Sequence, residues 1–263
     1  MNFKTVKDTR STILKPKLSY TVWFSQRTGS SLLCKTLELT DIAGKPNEWL
    51  PHKPNLLADY NQPNHEELQK HLWDIGSTSN GVFGLKHSYC EPQISQLIET
   101  FRKFPSCPQD EHNRTAIWEH AFPNHRHVFM TRRNKVRLTV SWWKAIQTQE
   151  WYRLQENKPQ PKDLSEAYSF DAINHLYAEA SMREAGLQEF FAEGNIVPLT
   201  IVYEDFIQEY EQTIRLILDY LGLEAASTKI DEPYFTKLAD QISEEWAQRF
   251  RAERQNGWPN VGW

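Results

Sequence analysis

The sequence predicts an α/β fold in which a parallel β-sheet carries helices on both faces. Two observations lead to this fold class: short runs of β-branched and aromatic residues, and amphipathic stretches with helical spacing that alternate with them. Alternating strands and helices form parallel sheets, and such sheets bind ligands at the carboxyl ends of their strands. We expect a single domain over residues 18–255, with a lead-in over residues 1–17 and a tail over residues 256–263.

Four short apolar runs are predicted to be the strands of this sheet. They are Tyr20–Phe24, Gly81–Lys86, His127–Thr131 and Ile196–Tyr203. Apolar residues three or four positions apart predict helices over residues 32–39, His65–Ile75, Pro92–Phe104, 134–146, Ser165–Glu193, 205–221 and Tyr234–Arg251. Asp205 is expected to cap the sixth of these helices. Two polar segments, Lys53–Asn64 and Pro105–Arg126, are expected to be irregular.

The composition argues against some classes of partner. A formal net charge of −4 disfavours general nucleic-acid or membrane-surface binding, because both need a basic surplus. The 3 cysteines are widely spaced and indicate neither a disulfide framework nor a metal site. No apolar run approaches the length of a membrane span, and residues 1–17 lack the apolar core of a signal peptide. We therefore expect a cytoplasmic protein without a bound metal.

The turn Ser25–Ser31, SQRTGSS, joins the first strand to the first helix and is a candidate anion site. Backbone N–H groups of such a turn converge on one point, and the helix dipole adds positive potential there. Gly29 permits close backbone approach, and Arg27 supplies a cationic fork. Taken alone, the stretch fits an ordinary strand–helix turn about as well. It is too short for the P-loop of nucleotide hydrolases and lacks the lysine of that motif, which disfavours a kinase or other phosphoryl transferase.

Four segments in order resemble the trehalose 2-sulfotransferase family, a branch of the sulfotransferases that use 3′-phosphoadenylyl sulfate (PAPS). They are SQRTGSSLL, AGKPNEW, NGVFGLK and RRNKVRLTVSWWKAIQTQEW, and a weaker likeness continues through IVYEDF and ADQISEEW. The resemblance implies a P-loop-like α/β fold, PAPS as co-substrate without a metal, and transfer of a sulfuryl group to a hydroxyl of a carbohydrate or glycolipid. It also implies that a homodimer is possible. A non-catalytic nucleotide- or sugar-binding module is the remaining alternative.

The resemblance also implies which residues hold the donor. The 5′-phosphosulfate is expected on the loop residues Ser25, Gln26, Arg27, Thr28, Gly29, Ser30 and Ser31. The 3′-phosphate is expected on Arg132 and Ser141, with Arg133 as the alternative arginine. Arg27 stands where sulfotransferases usually have a lysine. An arginine can stabilise developing charge but does not readily give up its proton.

For catalysis, the resemblance points to Glu48 as the general base and to Lys86 and Arg27 as groups that stabilise negative charge. Glu48 matches the carboxylate in the family's loop after the first helix, and His87 is the alternative base. Lys45 stands where the family often has an acid, which bears on contacts with the acceptor.

Other residues near these motifs have weaker expected roles. Tyr203, Glu204 and Asp205 resemble the strand-end YED of sulfotransferases. Four tryptophans are expected either to stack on a sugar or to belong to the core: Trp49, Trp142, Trp143 and Trp151. Four histidines with no zinc-like spacing are expected to be solvated: His112, His120, His125 and His127.

Overall fold

A four-stranded parallel sheet, in the order β2-β1-β3-β4, lies at the centre of the part of the chain that the structure describes. The structure is a computed structural model and describes residues 15–52, 55–158 and 162–259; most of the predicted lead-in and the end of the tail lie outside these ranges. The strands are β1 (Leu18–Phe24), β2 (Val82–Ser88), β3 (His125–Thr131) and β4 (Leu199–Val202). All the pairings are parallel, so the four strands end at one edge of the sheet.

Helices connect the strands and cover the sheet. In chain order they are α1 (Ser30–Leu39), α2 (Leu56–Asp59), α3 (His65–Gly76), α4 (Glu91–Phe101), α5 (Arg114–Ala121), α6 (Lys135–Thr148), α7 (Phe170–Glu193), α8 (Tyr203–Phe206), α9 (Tyr210–Tyr220) and α10 (Gln241–Gln255). None of the helices within the described ranges is both long enough and apolar enough to cross a membrane.

The side chains of β1 alternate between two apolar layers, one on each face of the sheet. Tyr20 and Val22 pack with α1 and α9 on one face. Trp23 packs on the other face, in an aromatic layer formed with α3, α4, α5 and α7. This alternation is the period of two expected of a strand buried on both sides. The predicted α/β fold, a parallel sheet with helices on both faces in one domain, is confirmed.

Trp23 lies at the centre of the aromatic layer. Its ring centroid is 4.7 Å from that of Trp118 and 5.3 Å from that of Phe190. Its indole Nε1 donates a hydrogen bond of 2.9 Å to Nδ1 of His127. His127 is therefore a buried core residue, and its predicted solvation is wrong. His125 also turns inward, with Nε2 2.9 Å from Oγ1 of Thr21.

Two segments predicted to be irregular contain helices. Lys53–Asn64 includes the short α2, and Pro105–Arg126 includes α5. The α5 helix begins where the Asn113 side chain accepts hydrogen bonds from the backbone N–H groups of Thr115 and Ala116. The sequence did not predict this helix because it contains several polar residues and only Trp118 and a few neighbours form its buried face.

Helix starts also differ from the predictions, because side-chain caps set them. The long helix begins at Phe170 rather than Ser165, with Ser169 as its cap. The last helix begins at Gln241 rather than Tyr234, where Asp240 forms a capping box. The predicted cap at Asp205 is wrong. Asp205 lies inside α8, a separate one-turn helix, and its carboxylate pairs with Arg133 instead.

Replacing Trp118 by alanine tests the importance of the aromatic layer. The ring is fully buried against Trp23, Phe101 and Phe122, so we expect Trp118→Ala to lower the free energy of unfolding by about 3–5 kcal/mol in urea denaturation. The exposed Trp258 is the matched control, and Trp258→Ala should cost less than about 0.5 kcal/mol. Equal losses for the two variants would contradict this packing.

Candidate active site

The loop between β1 and α1 takes a shape that depends on its glycine. Gly29 has a φ of 84° and is the N-cap of α1. A Cβ at this position would lie 2.7 Å from Cδ2 of Tyr203, so the backbone packs directly against the tyrosine ring. The Thr28 hydroxyl donates to the backbone carbonyl of Ser25 at 2.8 Å and closes the loop. The loop thus presents the first backbone N–H groups of α1 at the carboxyl edge of the sheet.

Arg27 reaches from this loop across to α6. Its Nε donates to Oγ of Ser141 at 3.0 Å, and its Nη1 donates to the backbone carbonyl of Trp151. Burial, with a further contribution from the nearby Arg132, lowers the pKa of Arg27 to about 10. The guanidinium stays charged at neutral pH because this pKa lies well above 7.

Arg132 follows β3 and contacts the backbone of the loop. Its Nη1 donates to the backbone carbonyl of Arg27 at 3.4 Å, and its guanidinium lies 4.7 Å from the centroid of the Tyr203 ring. Burial lowers the pKa of Arg132, whereas Tyr203 and Glu204 partly offset that effect. Nε is buried and makes no hydrogen bond within the described residues, although Oε1 of Glu204 is 3.7 Å away. Arg132 is therefore a largely buried cation whose Nε faces Glu204 without forming a hydrogen bond to it.

Arg133 points away from this arrangement. It is exposed, and its Nη1 donates to Oδ1 of Asp205 at 2.7 Å. The structure thus brings Arg132 and Ser141 together around Arg27, while Arg133 pairs on the surface.

Lys86 and Glu48 meet at the end of β2. Nζ of Lys86 lies 2.7 Å from Oε1 of Glu48 and 3.0 Å from Oγ of Ser31. The Lys86 side chain is only 8% exposed, whereas that of Glu48 is 45% exposed. The ion pair therefore links a buried cation beside the loop to a carboxylate that solvent or a substrate can reach.

Backbone approach between the loop after α1 and β2 positions Glu48. The backbone N–H of Lys86 donates to the carbonyl of Asn47 at 3.0 Å. The loop thereby forms an isolated parallel β-bridge with β2 at Asn47. A Cβ on Gly84 would lie 2.8 Å from N of Pro46, so only glycine fits on the strand there. Glu48, which follows Asn47, is thereby held next to Lys86.

His87 lies on the opposite face of the sheet. Successive strand residues alternate, and its ring packs 5.8 Å from Trp23 and 5.6 Å from Trp118. Burial lowers its pKa to about 3. The imidazole is thus separated from Lys86 and Glu48 by the strand itself, which argues against His87 as the alternative base.

Sequence reasoning did not find the contribution of α7. Oε1 of Glu184 accepts hydrogen bonds from Ser25 Oγ at 3.2 Å, Thr131 Oγ1 at 3.1 Å and Lys135 Nζ at 2.6 Å. One carboxylate therefore ties together the ends of β1 and β3 and the start of α6. The neighbouring Arg183 contacts Gln26 of the loop. In the sequence these two residues look like the polar face of an amphipathic helix, so no local signal marks them.

The four tryptophans near the site have different environments. Trp142 is buried, Trp49 is partly buried, and Trp143 donates from its indole nitrogen to the backbone carbonyl of Ala167 at 2.7 Å. Trp151 is exposed and lines an open cavity of about 610 Å³. Of the four, Trp151 is the most exposed to solvent.

No group of three or more His, Cys, Asp or Glu side chains could hold a metal ion within residues 15–52, 55–158 and 162–259. The basic residues at the sheet edge instead suit a ligand with several anionic groups. The loop, Arg27, Arg132 and Ser141 surround one part of this edge, and Lys86, Ser31 and Glu48 surround the adjacent part.

Known proteins align with this chain over most of its length. A trehalose 2-sulfotransferase from Mycolicibacterium smegmatis is 25% identical over 264 residues, covering 90% of this chain and 96% of the relative. A trehalose 2-sulfotransferase from Mycobacterium tuberculosis is 29% identical over 261 residues, covering 89% of this chain and 94% of the relative. Among solved structures, a sulfotransferase from Alicyclobacillus acidocaldarius overlaps with a TM-score of 0.48 at 12% identity and covers 92% of this chain and 95% of that one.

The model of one protein family, described as Stf0 sulphotransferase, matches residues 19–253. The match runs from β1 to α10 and includes both parts of the site. The chain therefore belongs to the Stf0 sulphotransferase family and is an enzyme.

Proposed function

We propose that the enzyme transfers the sulfuryl group of PAPS to a hydroxyl of a carbohydrate or glycolipid. The observation that carries the proposal is the meeting of two groups of residues at one sheet edge: an anion-binding loop with Arg27, Arg132 and Ser141, and the Lys86–Glu48 pair beside it. The names of the two curated relatives support a sugar as the acceptor.

The donor has two anionic ends, and the residues fit both of them. The backbone N–H groups of the loop and the start of α1 suit the 5′-phosphosulfate. Arg132 and Ser141 suit the 3′-phosphate, because a largely buried guanidinium and a hydroxyl lie together beside the loop. Arg27 is a residue of the loop and donates to Ser141, so it links the two ends.

The acceptor hydroxyl is proposed to approach from the side of Glu48. As the oxygen–sulfur bond to the acceptor forms, Glu48 takes the hydroxyl proton, and the bond from sulfur to the phosphate oxygen of the donor breaks. Negative charge then accumulates on that phosphate oxygen. Arg27 and Lys86 stabilise this charge, and 3′-phosphoadenosine 5′-phosphate is the second product.

Donor recognition is tested by thermal shift. At a concentration of 100 Kd, 3′-phosphoadenosine 5′-phosphate should stabilise the protein by about 2.7 kcal/mol, which raises Tm by roughly 5–10 °C. ATP at the same concentration should have a much smaller effect, because it lacks the 3′-phosphate. A shift with ATP and none with the 3′-phosphorylated nucleotide would overturn the proposal in favour of a phosphoryl transferase.

The two neighbouring arginines can be compared by calorimetry with the same nucleotide. Arg132→Ala should weaken binding by about 10- to 100-fold, since a hydrogen bond to a charged group is lost. Arg133→Ala should leave the Kd within about threefold, because that side chain pairs with Asp205 at the surface. Thermal melts of both variants establish that they fold. A larger loss for Arg133→Ala would reverse the assignment.

Glu48→Gln tests the proposed base. We expect kcat to fall by about 10²- to 10⁴-fold while the Kd for the nucleotide product changes little, because the amide cannot accept a proton. Glu38→Gln is the matched control, since Glu38 is similarly exposed and also pairs with a lysine, Lys35, at 3.0 Å. Normal turnover by Glu48→Gln would show that another group is the base.

A further inference from the structure

Arg183 of α7 lies at the same sheet edge as the proposed site. Its Nη1 donates to Oε1 of Gln26 and to Oγ of Ser88, each at 3.1 Å, and so bridges the ends of β1 and β2. Ser88 is two residues beyond Lys86 on β2, which places it on the same face of the strand and about 7 Å further along. Arg183 is therefore close to the end of β2, the strand that carries Lys86.

The guanidinium of Arg183 is held in one orientation from two sides. Nε lies 2.7 Å from Oε1 of Glu179, one helical turn earlier, and the guanidinium carbon lies 5.5 Å from the ring centroid of Trp142. The side chain is 18% exposed, and that of Glu179 is 33% exposed. Arg183 is thus restrained but still accessible from the sheet edge.

The donors of Arg183 are only partly used. An arginine has five N–H groups, and the contacts with Glu179, Gln26 and Ser88 involve only Nε and Nη1. Nη2 has no hydrogen-bond acceptor among the described residues. Glu179 compensates the charge of Arg183 in the same way that Glu48 compensates that of Lys86. Because the charge of Arg183 is already paired, its remaining N–H groups can donate to neutral hydroxyl oxygens without leaving an uncompensated cation.

We propose that Arg183 is an acceptor-binding residue that donates from Nη2 to sugar hydroxyls adjacent to the one deprotonated by Glu48, and that Glu179 positions it. This inference rests on the proposed function. The short distance along β2 between Lys86 and Ser88 is one that a single sugar ring can bridge. Arg183 would then determine which ring hydroxyl reaches Glu48.

The test measures steady-state kinetics with PAPS and neutral sugars, and product binding by calorimetry. The best acceptor among trehalose, maltose, sucrose and glucose serves as the probe. Arg183→Met should raise the KM for this sugar by about 10- to 100-fold and change kcat little, because binding to the ground state and to the transition state is lost equally. Arg183→Lys should be impaired to a similar degree, since lysine keeps the charge but not the forked donors. Glu179→Gln should raise the KM by a smaller factor.

The Glu211–Arg215 pair on α9 provides the matched control. It has the same spacing and order as Glu179–Arg183, with 2.6 Å between Arg215 Nη2 and Glu211 Oε1, and contacts none of the site side chains. Arg215→Met should leave the KM for the sugar unchanged, and so exclude a general effect of losing a helix ion pair.

Each outcome separates this inference from the proposed function. If Arg183→Met weakens binding of 3′-phosphoadenosine 5′-phosphate and leaves the sugar KM unchanged, Arg183 acts on the donor loop through Gln26, and the inference is wrong. If the wild-type enzyme binds the nucleotide but sulfates none of the sugars, the sugar-binding role is wrong while the donor assignment stands. If the wild-type enzyme does not bind the nucleotide, the proposed function itself fails.

Discussion

The buried positive charge at the carboxyl edge of the sheet is the constraint on which the site depends. Arg27, Arg132 and Lys86 are largely withdrawn from water, and burial lowers the pKa of both arginines. Burying a cation without a partner is costly, so each needs compensation from a neighbouring carboxylate, oxygen or ring. Arg132 approaches Glu204 and Tyr203, and Lys86 pairs with Glu48. A polyanionic donor at this edge would supply further compensation.

The compensating groups come from parts of the chain that are far apart in sequence. Glu48 follows α1 and Glu204 is on α8, while Glu184 of α7 pairs with Lys135 at the start of α6. They meet because the parallel sheet ends all its strands at one edge, and the α7 helix packs across it. The aromatic layer around Trp23 and Trp118 keeps α5 and α7 against the sheet, which connects the packing of the core to the geometry of the site.

Local patterns were enough to predict the strands and the loop, because each depends on neighbouring residues. A run such as Tyr20–Phe24 is apolar and β-branched or aromatic throughout, and Gly29 marks the turn that follows it. The predictions failed where a helix buries few residues. The α5 helix was missed because one tryptophan and its neighbours supply its apolar face, and helix starts shifted because a single capping side chain decides them.

The sequence by itself determined the α/β class and the position of the loop, and its resemblance to a known family pointed to Arg27, Glu48, Lys86, Arg132 and Ser141 as the residues to examine. These features belong to short segments, which are recognised by their own pattern or by their likeness to a family motif. Only the tertiary structure distinguished Arg132 from Arg133, turned His87 to the opposite face and brought Glu184 and Arg183 to the site. Those outcomes depend on long-range contacts, and adjacent residues with nearly identical chemistry acquire different roles when the fold turns one inward and the other toward solvent.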